Sequence, residues 1–174
     1  MEKYVPDIYQ KSIYTIDYDK LLNRGIKCLL FDLDNTIVPV NIKVPNKKVR
    51  DLFFNLKEKG FTVIIFSNAP KIRLKPFKEE LEVDCCAHAR KPRKKKFLKV
   101  INEYNFSVDE IAIIGDQLFS DILGGNRIGI TTILINPISK YDDIFTRLVK
   151  RKMEVSMFKK LRDAGLFTKG KYYD

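Results

Sequence analysis

One histidine, His88, and three cysteines are all that this chain offers a soft metal. Cys28 lies inside an apolar run, Cys85 and Cys86 are adjacent, and no CxxC occurs, so the spacing of a structural zinc site is missing. An odd cysteine count without framework spacing also argues against a disulfide-built secreted domain and fits a reducing compartment. No apolar run approaches the roughly 18 residues of a membrane span, and the opening "MEKYVPDIYQ" has no apolar core of a signal peptide. Acid is scarce as well: 22 Asp and Glu stand against 33 Lys and Arg, a net charge of +11. The expectation is a soluble, cytoplasmic chain, with 1–174 forming one domain around its own core.

The positive charge is concentrated. Residues 71–99 carry 11 basic and 4 acidic side chains, and 140–174 carry 10 and 5, whereas the remainder is near neutral. Blocks of this kind attract polyanions: nucleic acid, an anionic membrane surface or a phosphorylated substrate. A solvated face that keeps the protein soluble is the plainer alternative. Residues 1–24 have weak periodicity and read as a segment wrapping the domain. Residues 137–174 read as a basic helical extension, with Ile144, Leu148, Val155, Phe158 and Leu161 on one apolar face.

Between these ends the chain alternates. "IKCLLFD" (26–32), "FTVIIFS" (61–67), "VDCCAH" (83–88), "IAIIGD" (111–116) and "ITTILI" (130–135) are short apolar runs rich in β-branched residues, which predicts strands. Val49, Leu52, Phe53 and Leu56, and later Phe97, Val100, Ile101 and Tyr104, recur at helical spacing. Gly60 is placed to end the first of these helices. Strands alternating with helices predict an α/β fold, a mainly parallel sheet with helices on both faces. In such sheets ligands bind outside the carboxyl ends of the strands. Those ends here read Asp32, Ser67, the stretch before Lys91, and Asp116.

Asp32 and Asp34, in "FDLDNT", stand two residues apart, a spacing that on extended backbone points both carboxylates to one side. One can attack an electrophile while the other moves a proton. Acids this close need a cation, and Asp116 and Asp121 add two more from another strand end. Several carboxylates and all-oxygen ligands favour Mg²⁺ over zinc. Ser67 and Asn68 can hydrogen-bond phosphate oxygens, and Lys91 can neutralise the same group. An N-cap or surface-turn role for the acid pair is the competing reading, and the remaining residues weigh against it.

In chain order, Asp32-Leu33-Asp34-Asn35-Thr36, Ser67-Asn68, Lys91-Pro92 and Gly115-Asp116 with Asp121 resemble the four motifs of the haloacid dehalogenase (HAD) superfamily. The resemblance implies a Rossmann-like three-layer sandwich and a Mg²⁺-dependent phosphatase working through an aspartyl-phosphate. It makes Asp32 the nucleophile and Asp34 the general acid/base, with Lys91 on the phosphate beside Ser67 and Asn68. Mg²⁺ would be held by Asp32, the backbone carbonyl of Asp34, and Asp116, with Asp121 close by. Within the superfamily, "VPDIYQKSIYTIDYDKLLNRGIKCLLFDLDNTIVP", "FSNAP", "ARKP" and "FTRLVKRK" resemble the YqeG type of subfamily IIIA. That group is similar to phosphatidylglycerophosphate phosphatases, so the resemblance implies phosphatidylglycerophosphate as substrate and a peripheral place on the inner membrane face.

Only residues 37–66 separate the first motif from the second, and 68–90 the second from the third. A helix and a strand already use each interval, which leaves no room for a cap domain and suits a bulky or surface-bound ester. The basic blocks would then meet anionic headgroups, each side chain contributing roughly 1 kcal/mol. Two alternatives stay open: a phosphatase of nucleotides, phosphoproteins or another soluble phosphomonoester, and an RNA- or ribosome-associated protein whose catalytic site is vestigial. "RKPRKKK" (90–96) keeps the second alive.

Overall fold

The computed structural model describes residues 1–139 and 151–174. Six strands form one sheet: β1 (Ile8–Gln10), β2 (Cys28–Phe31), β3 (Thr62–Phe66), β4 (Asp84–Cys86), β5 (Ile111–Gly115) and β6 (Thr131–Ile135). Their order is β1-β6-β5-β2-β3-β4 and every pairing is parallel. The helices are α1 (Tyr18–Asn23), α2 (Lys47–Glu58), α3 (Lys71–Leu81), α4 (Lys94–Tyr104), α5 (Leu123–Ile128) and α6 (Arg151–Asp163).

The apolar runs form central strands because both faces of each are covered. On one face Leu29, Phe31, Val63, Ile65 and Ile114 pack with Phe53 and Leu56 of α2 and Leu74 and Phe77 of α3. On the other, Leu30, Ile64, Phe66, Ile111 and Ile113 pack with Phe97 and Val100 of α4. The period of two along each strand therefore divides one run between two cores, giving three layers. Fully burying such a side chain contributes roughly 1.5–3 kcal/mol. Asn46 caps α2 by accepting the Val49 N–H at 3.0 Å, and Gly60 follows the helix at φ +96°.

Two segments differ from the pattern read in the sequence. Within the opening residues, Ile8–Gln10 join the sheet as its edge strand beside β6. Tyr173 then pairs with Tyr9 from the far side of β1, each backbone N–H reaching the other's carbonyl at 2.9 Å. The chain end thus protects the edge that β1 would otherwise expose. In α6 the buried face is Glu154, Met157, Phe158 and Leu161, and Val155 is 69% exposed. Val155 is therefore not on the apolar face. Glu154 takes the inward position because two hydrogen-bonding partners await it there. Ile144 and Leu148 lie outside the described residues.

Between β2 and β3 the chain holds one helix, α2, and between β3 and β4 it holds one, α3. Neither interval carries a cap domain. No helix among the described residues is long and apolar enough to cross a membrane.

Candidate active site

The central position of β2 brings the sequence motifs together. Asp32 follows β2 directly, and its N–H continues the ladder to the Ile114 carbonyl at 2.9 Å, so the sheet fixes its backbone. Ser67 follows β3, with its N–H on the Cys86 carbonyl at 3.0 Å. Asp116 follows β5. A π-helical turn, Leu118–Ile122, then swings Asp121 back toward the strand end, a distortion found often at functional sites.

Lys91 is the hub. Its ammonium donates to Asp32 Oδ1 at 2.7 Å, to Asp121 Oδ1 at 2.7 Å and to the Phe66 carbonyl at 2.8 Å. All three ammonium protons therefore have acceptors in a buried setting. Burial opposes the charge on Lys91, but Asp121 and Asp32 more than offset it and hold the amine above its ordinary value. Burial also raises Asp32 to about 7, with Lys91 pulling down and Asp121 pushing up. Asp116 lies well above the usual carboxylate range, again chiefly through burial and against the pull of Arg151.

Asn68 is exposed, and its side chain is engaged with the backbone of Lys91. Its Oδ1 accepts the Lys91 N–H at 2.8 Å and its amide donates to the Lys91 carbonyl at 3.4 Å. Asn68 thus sets the position of Lys91 across 23 residues of chain. Ser67 Oγ accepts the Ala69 N–H at 3.1 Å.

Four residues at the site make contacts that carry no signal of their own in the sequence. Arg73 of α3 donates to Asp34 Oδ1 at 2.8 and 3.2 Å, rests on the Phe77 ring and reaches the Ile42 carbonyl. Asp34 is thereby held beside the 39–46 segment. Thr36 donates to Asp116 Oδ1 at 3.3 Å. Arg151, at the start of α6, donates to Asp116 Oδ2 at 2.6 Å and to Glu154 at 3.0 Å. Glu154 accepts the Leu118 N–H at 2.7 Å and so ties the helix to the π turn. Arg73 and Arg151 lie inside the two basic blocks, whose charge is visible in the sequence although these pairings are not.

Oxygens of Asp32, Asp116 and Asp121 lie within 4.8 Å of one another, a buried triad able to hold a divalent metal. The Asp34 carboxylate stands outside it, on Arg73. Among the described residues, five carboxylates (Asp32, Asp34, Asp116, Asp121, Glu154) meet three cations (Lys91, Arg73, Arg151). Fully ionised, the group is two negative charges in excess, a deficit one divalent cation fills.

Gly115 makes this geometry possible. A Cβ there would stand 2.2 Å from the Asp121 carboxyl carbon. Gly115→Ala is expected to push Asp121 off Lys91, cutting turnover at the site by roughly 100-fold, the scale of a 1 Å misplacement. A divalent metal held by the triad would raise the Tm of the wild type, and the same variant should lose most of that rise, measured by thermal unfolding with and without Mg²⁺.

Comparison with known proteins identifies the family. The HAD-hydrolase-like family model matches residues 88–137. The probable phosphatase YqeG of Bacillus subtilis is 35% identical over 162 residues, covering 93% of this chain and 94% of its own. Phosphatidylglycerophosphate phosphatase 1 of Arabidopsis thaliana, chloroplastic/mitochondrial, is 25% identical across 93% of this chain and 49% of its own length. In fold, the cobalt-bound deoxy-D-mannose-octulosonate 8-phosphate phosphatase of Haemophilus influenzae superposes with a TM-score of 0.53. It is 12% identical and covers 83% of this chain and 95% of its own. The chain therefore belongs to the HAD superfamily of hydrolases, in the family of the probable phosphatase YqeG, and is a HAD-type phosphatase.

Proposed function

We propose that this phosphatase hydrolyses phosphatidylglycerophosphate to phosphatidylglycerol, using Mg²⁺ and a phosphoaspartate on Asp32. The observation that carries the substrate is the likeness to a phosphatidylglycerophosphate phosphatase along 93% of the chain. The two cap-free intervals support it, since a headgroup standing in a bilayer cannot be enclosed as a small metabolite can. The enzyme would work peripherally at the inner membrane face.

Asp32, Asp116 and Asp121 would hold the metal, with the Asp34 carbonyl as a further ligand. Their hard oxygens and charge excess fit Mg²⁺. When bound, the ion supplies charge neutralisation for the phosphate and for the acids that hold it. The chain's own residues do the rest. Asp32 presents a carboxylate oxygen to phosphorus, forming one P–O bond as the bond to the glycerol oxygen breaks. Asp34, oriented by Arg73, gives that oxygen a proton. It then accepts one from the water that opens the phosphoaspartate. Ser67 and Lys91 steady the phosphoryl oxygens, and Asn68 keeps Lys91 in place.

The test is phosphate release, with Mg²⁺, from phosphatidylglycerophosphate in mixed micelles, beside a soluble panel of nucleotides, sugar phosphates and a phosphopeptide. A strong lipid preference supports the reading. Turnover confined to the soluble panel keeps the phosphatase and removes the lipid.

A further inference from the structure

In a parallel sheet, the segments following the strands and the first turns of the next helices gather at one end. Here 32–38 and 116–122 carry no charge but the four site acids Asp32, Asp34, Asp116 and Asp121, and three further segments are 39–49, 68–75 and 87–96. Together these three hold 12 basic side chains and no acidic one, and nine of the basic ones are exposed. The opposite end is mixed: residues 23–27 and 57–61, which lead into β2 and β3, carry four basic side chains and one acidic one. Residues 79–84 and 103–110, which lead into β4 and β5, carry seven acidic side chains and no basic one. The charge of these connecting segments is therefore more positive at the carboxyl end of the sheet, around the active site, than at the amino end.

Large apolar side chains are exposed at the same end. Ile72, in the first turn of α3, is 82% exposed. Ile42 and Val44 are exposed in the segment that Arg73 ties to Asp34, and Ile138 is exposed where its N–H meets the Asn35 carbonyl at 3.0 Å. These four come from three separate connections, each joined to a residue of the active-site motifs or next to one. Exposed apolar side chains occur elsewhere too, Phe54 and Val155 among them, and what distinguishes these four is that they come together with the basic segments at the end of the sheet that holds the site. An RNA-binding face would call for exposed aromatic side chains, and Tyr, Phe and Trp are absent from all three basic segments.

We propose that the carboxyl end of the sheet is a membrane-docking face. Its basic rim draws the protein to an anionic phospholipid surface, and Ile42, Val44, Ile72 and Ile138 enter the headgroup boundary, so that the mouth of the active site meets the bilayer. This rests on the lipid reading of the same site and adds to it the orientation of the enzyme. The charge asymmetry turns the molecule during approach, and the effect fades with salt over a Debye length of about 8 Å at physiological ionic strength. The apolar contacts give a salt-resistant remainder.

The test is sedimentation of the full chain with vesicles of phosphatidylcholine, with or without phosphatidylglycerol. Three variants are compared: a rim reversal (Lys71→Glu, Arg93→Glu, Lys94→Glu), a matched reversal at the other end (Arg24→Glu, Lys27→Glu, Lys59→Glu), and Ile72→Asn. The wild type is expected to sediment strongly with the anionic vesicles and only weakly, through the apolar contacts, with the neutral ones. The rim reversal should weaken binding by about tenfold or more, as expected for several charges near the surface, and the matched reversal should leave it within about twofold. Ile72→Asn should remove the salt-resistant part. All three should hydrolyse a soluble phosphomonoester at the wild-type rate, which shows that the site remains folded. Absence of wild-type binding, equal losses from the two reversals, or binding to single-stranded RNA in preference to vesicles would overturn the proposal. Lipid hydrolysis in detergent micelles is read separately. If it fails while vesicle binding persists, the substrate assignment falls and the docking face stands; if it persists without vesicle binding, the reverse holds.

Discussion

Asp32→Asn is expected to abolish phosphate release, by roughly 10⁴-fold or more, while leaving the metal-free protein folded and more stable than the wild type at pH 8. The loss follows from the chemistry proposed for Asp32, since an amide oxygen is too poor a nucleophile to form the phosphoaspartate. The stability gain follows from burial. Asp32 rises from an ordinary carboxylate value to about 7 in the fold, so between those values the folded state binds a proton that the unfolded chain has lost. Stability therefore falls as pH climbs through that window and stays lower above it. The substituted amide has no proton to lose. The difference in Tm between variant and wild type should be largest at pH 8 and close toward pH 4. For a chain of this size, each kcal/mol corresponds to roughly 2–4 °C. Added Mg²⁺ should raise the wild type more than the variant and so narrow the difference. Thermal unfolding across pH, with and without Mg²⁺, reads all of this. A variant that is inactive and also less stable at pH 8 would show that Asp32 holds the site together, and its inactivity would then say nothing about nucleophilic attack.

The fold was legible wherever burial on both faces leaves an unbroken apolar run. β2, β3, β5 and β6 are such runs, and helical spacing marks α2 and α4. β1 is different. Its three residues owe their extended form to β6 on one side and Tyr173 on the other, partners more than 120 residues away in sequence, so local pattern cannot announce them. The tail misleads for a related reason. Val155 fits an apolar face by spacing, yet Glu154 is the buried residue because the Leu118 N–H and Arg151 satisfy its carboxylate. Hydrophobic periodicity cannot register a buried acid whose partners come from elsewhere.

The site divides along the same line. Candidate residues at strand ends are readable, because the strand before each is readable and Asp32, Ser67 and Asp116 directly follow theirs, with Lys91 five residues past β4. Arg73 and Arg151 are not, since each meets its carboxylate across 39 and 35 residues of chain on a helix face with many other basic side chains. In the sequence they are part of a charge block. In the structure they are the two cations that, with Lys91, bring five buried or half-buried acids to within two charges of neutrality.

That near balance makes Lys91 the position where substitution should cost the fold most. Lys91→Met keeps the length and the apolar stem but removes the cation shared by Asp32 and Asp121. Breaking a buried ion pair from one side costs about 3–5 kcal/mol, because the remaining charge has no partner. The cost should depend on pH, and the sign can be worked out. The Lys91 pKa is raised in the fold, so its stabilising contribution is fully present below the ordinary lysine value and Lys91 does not titrate between pH 5 and 8. Asp32 does. Asp32, already raised with Lys91 present, rises further without it, and at pH 5 it is protonated and needs no cation. The variant should therefore lie closer to the wild type at pH 5 than at pH 8, the cost from Asp32 growing as pH rises and the lost pair with Asp121 adding to it, in urea or thermal unfolding. Mg²⁺, placed among the same oxygens, should recover part of the loss at pH 8 without restoring turnover, because the phosphoryl group would still lack the Lys91 ammonium. A loss of equal size at every pH would mean that Lys91 stabilises through packing against Phe66, whose ring lies 5.8 Å from the ammonium, and that the acids are balanced by other groups.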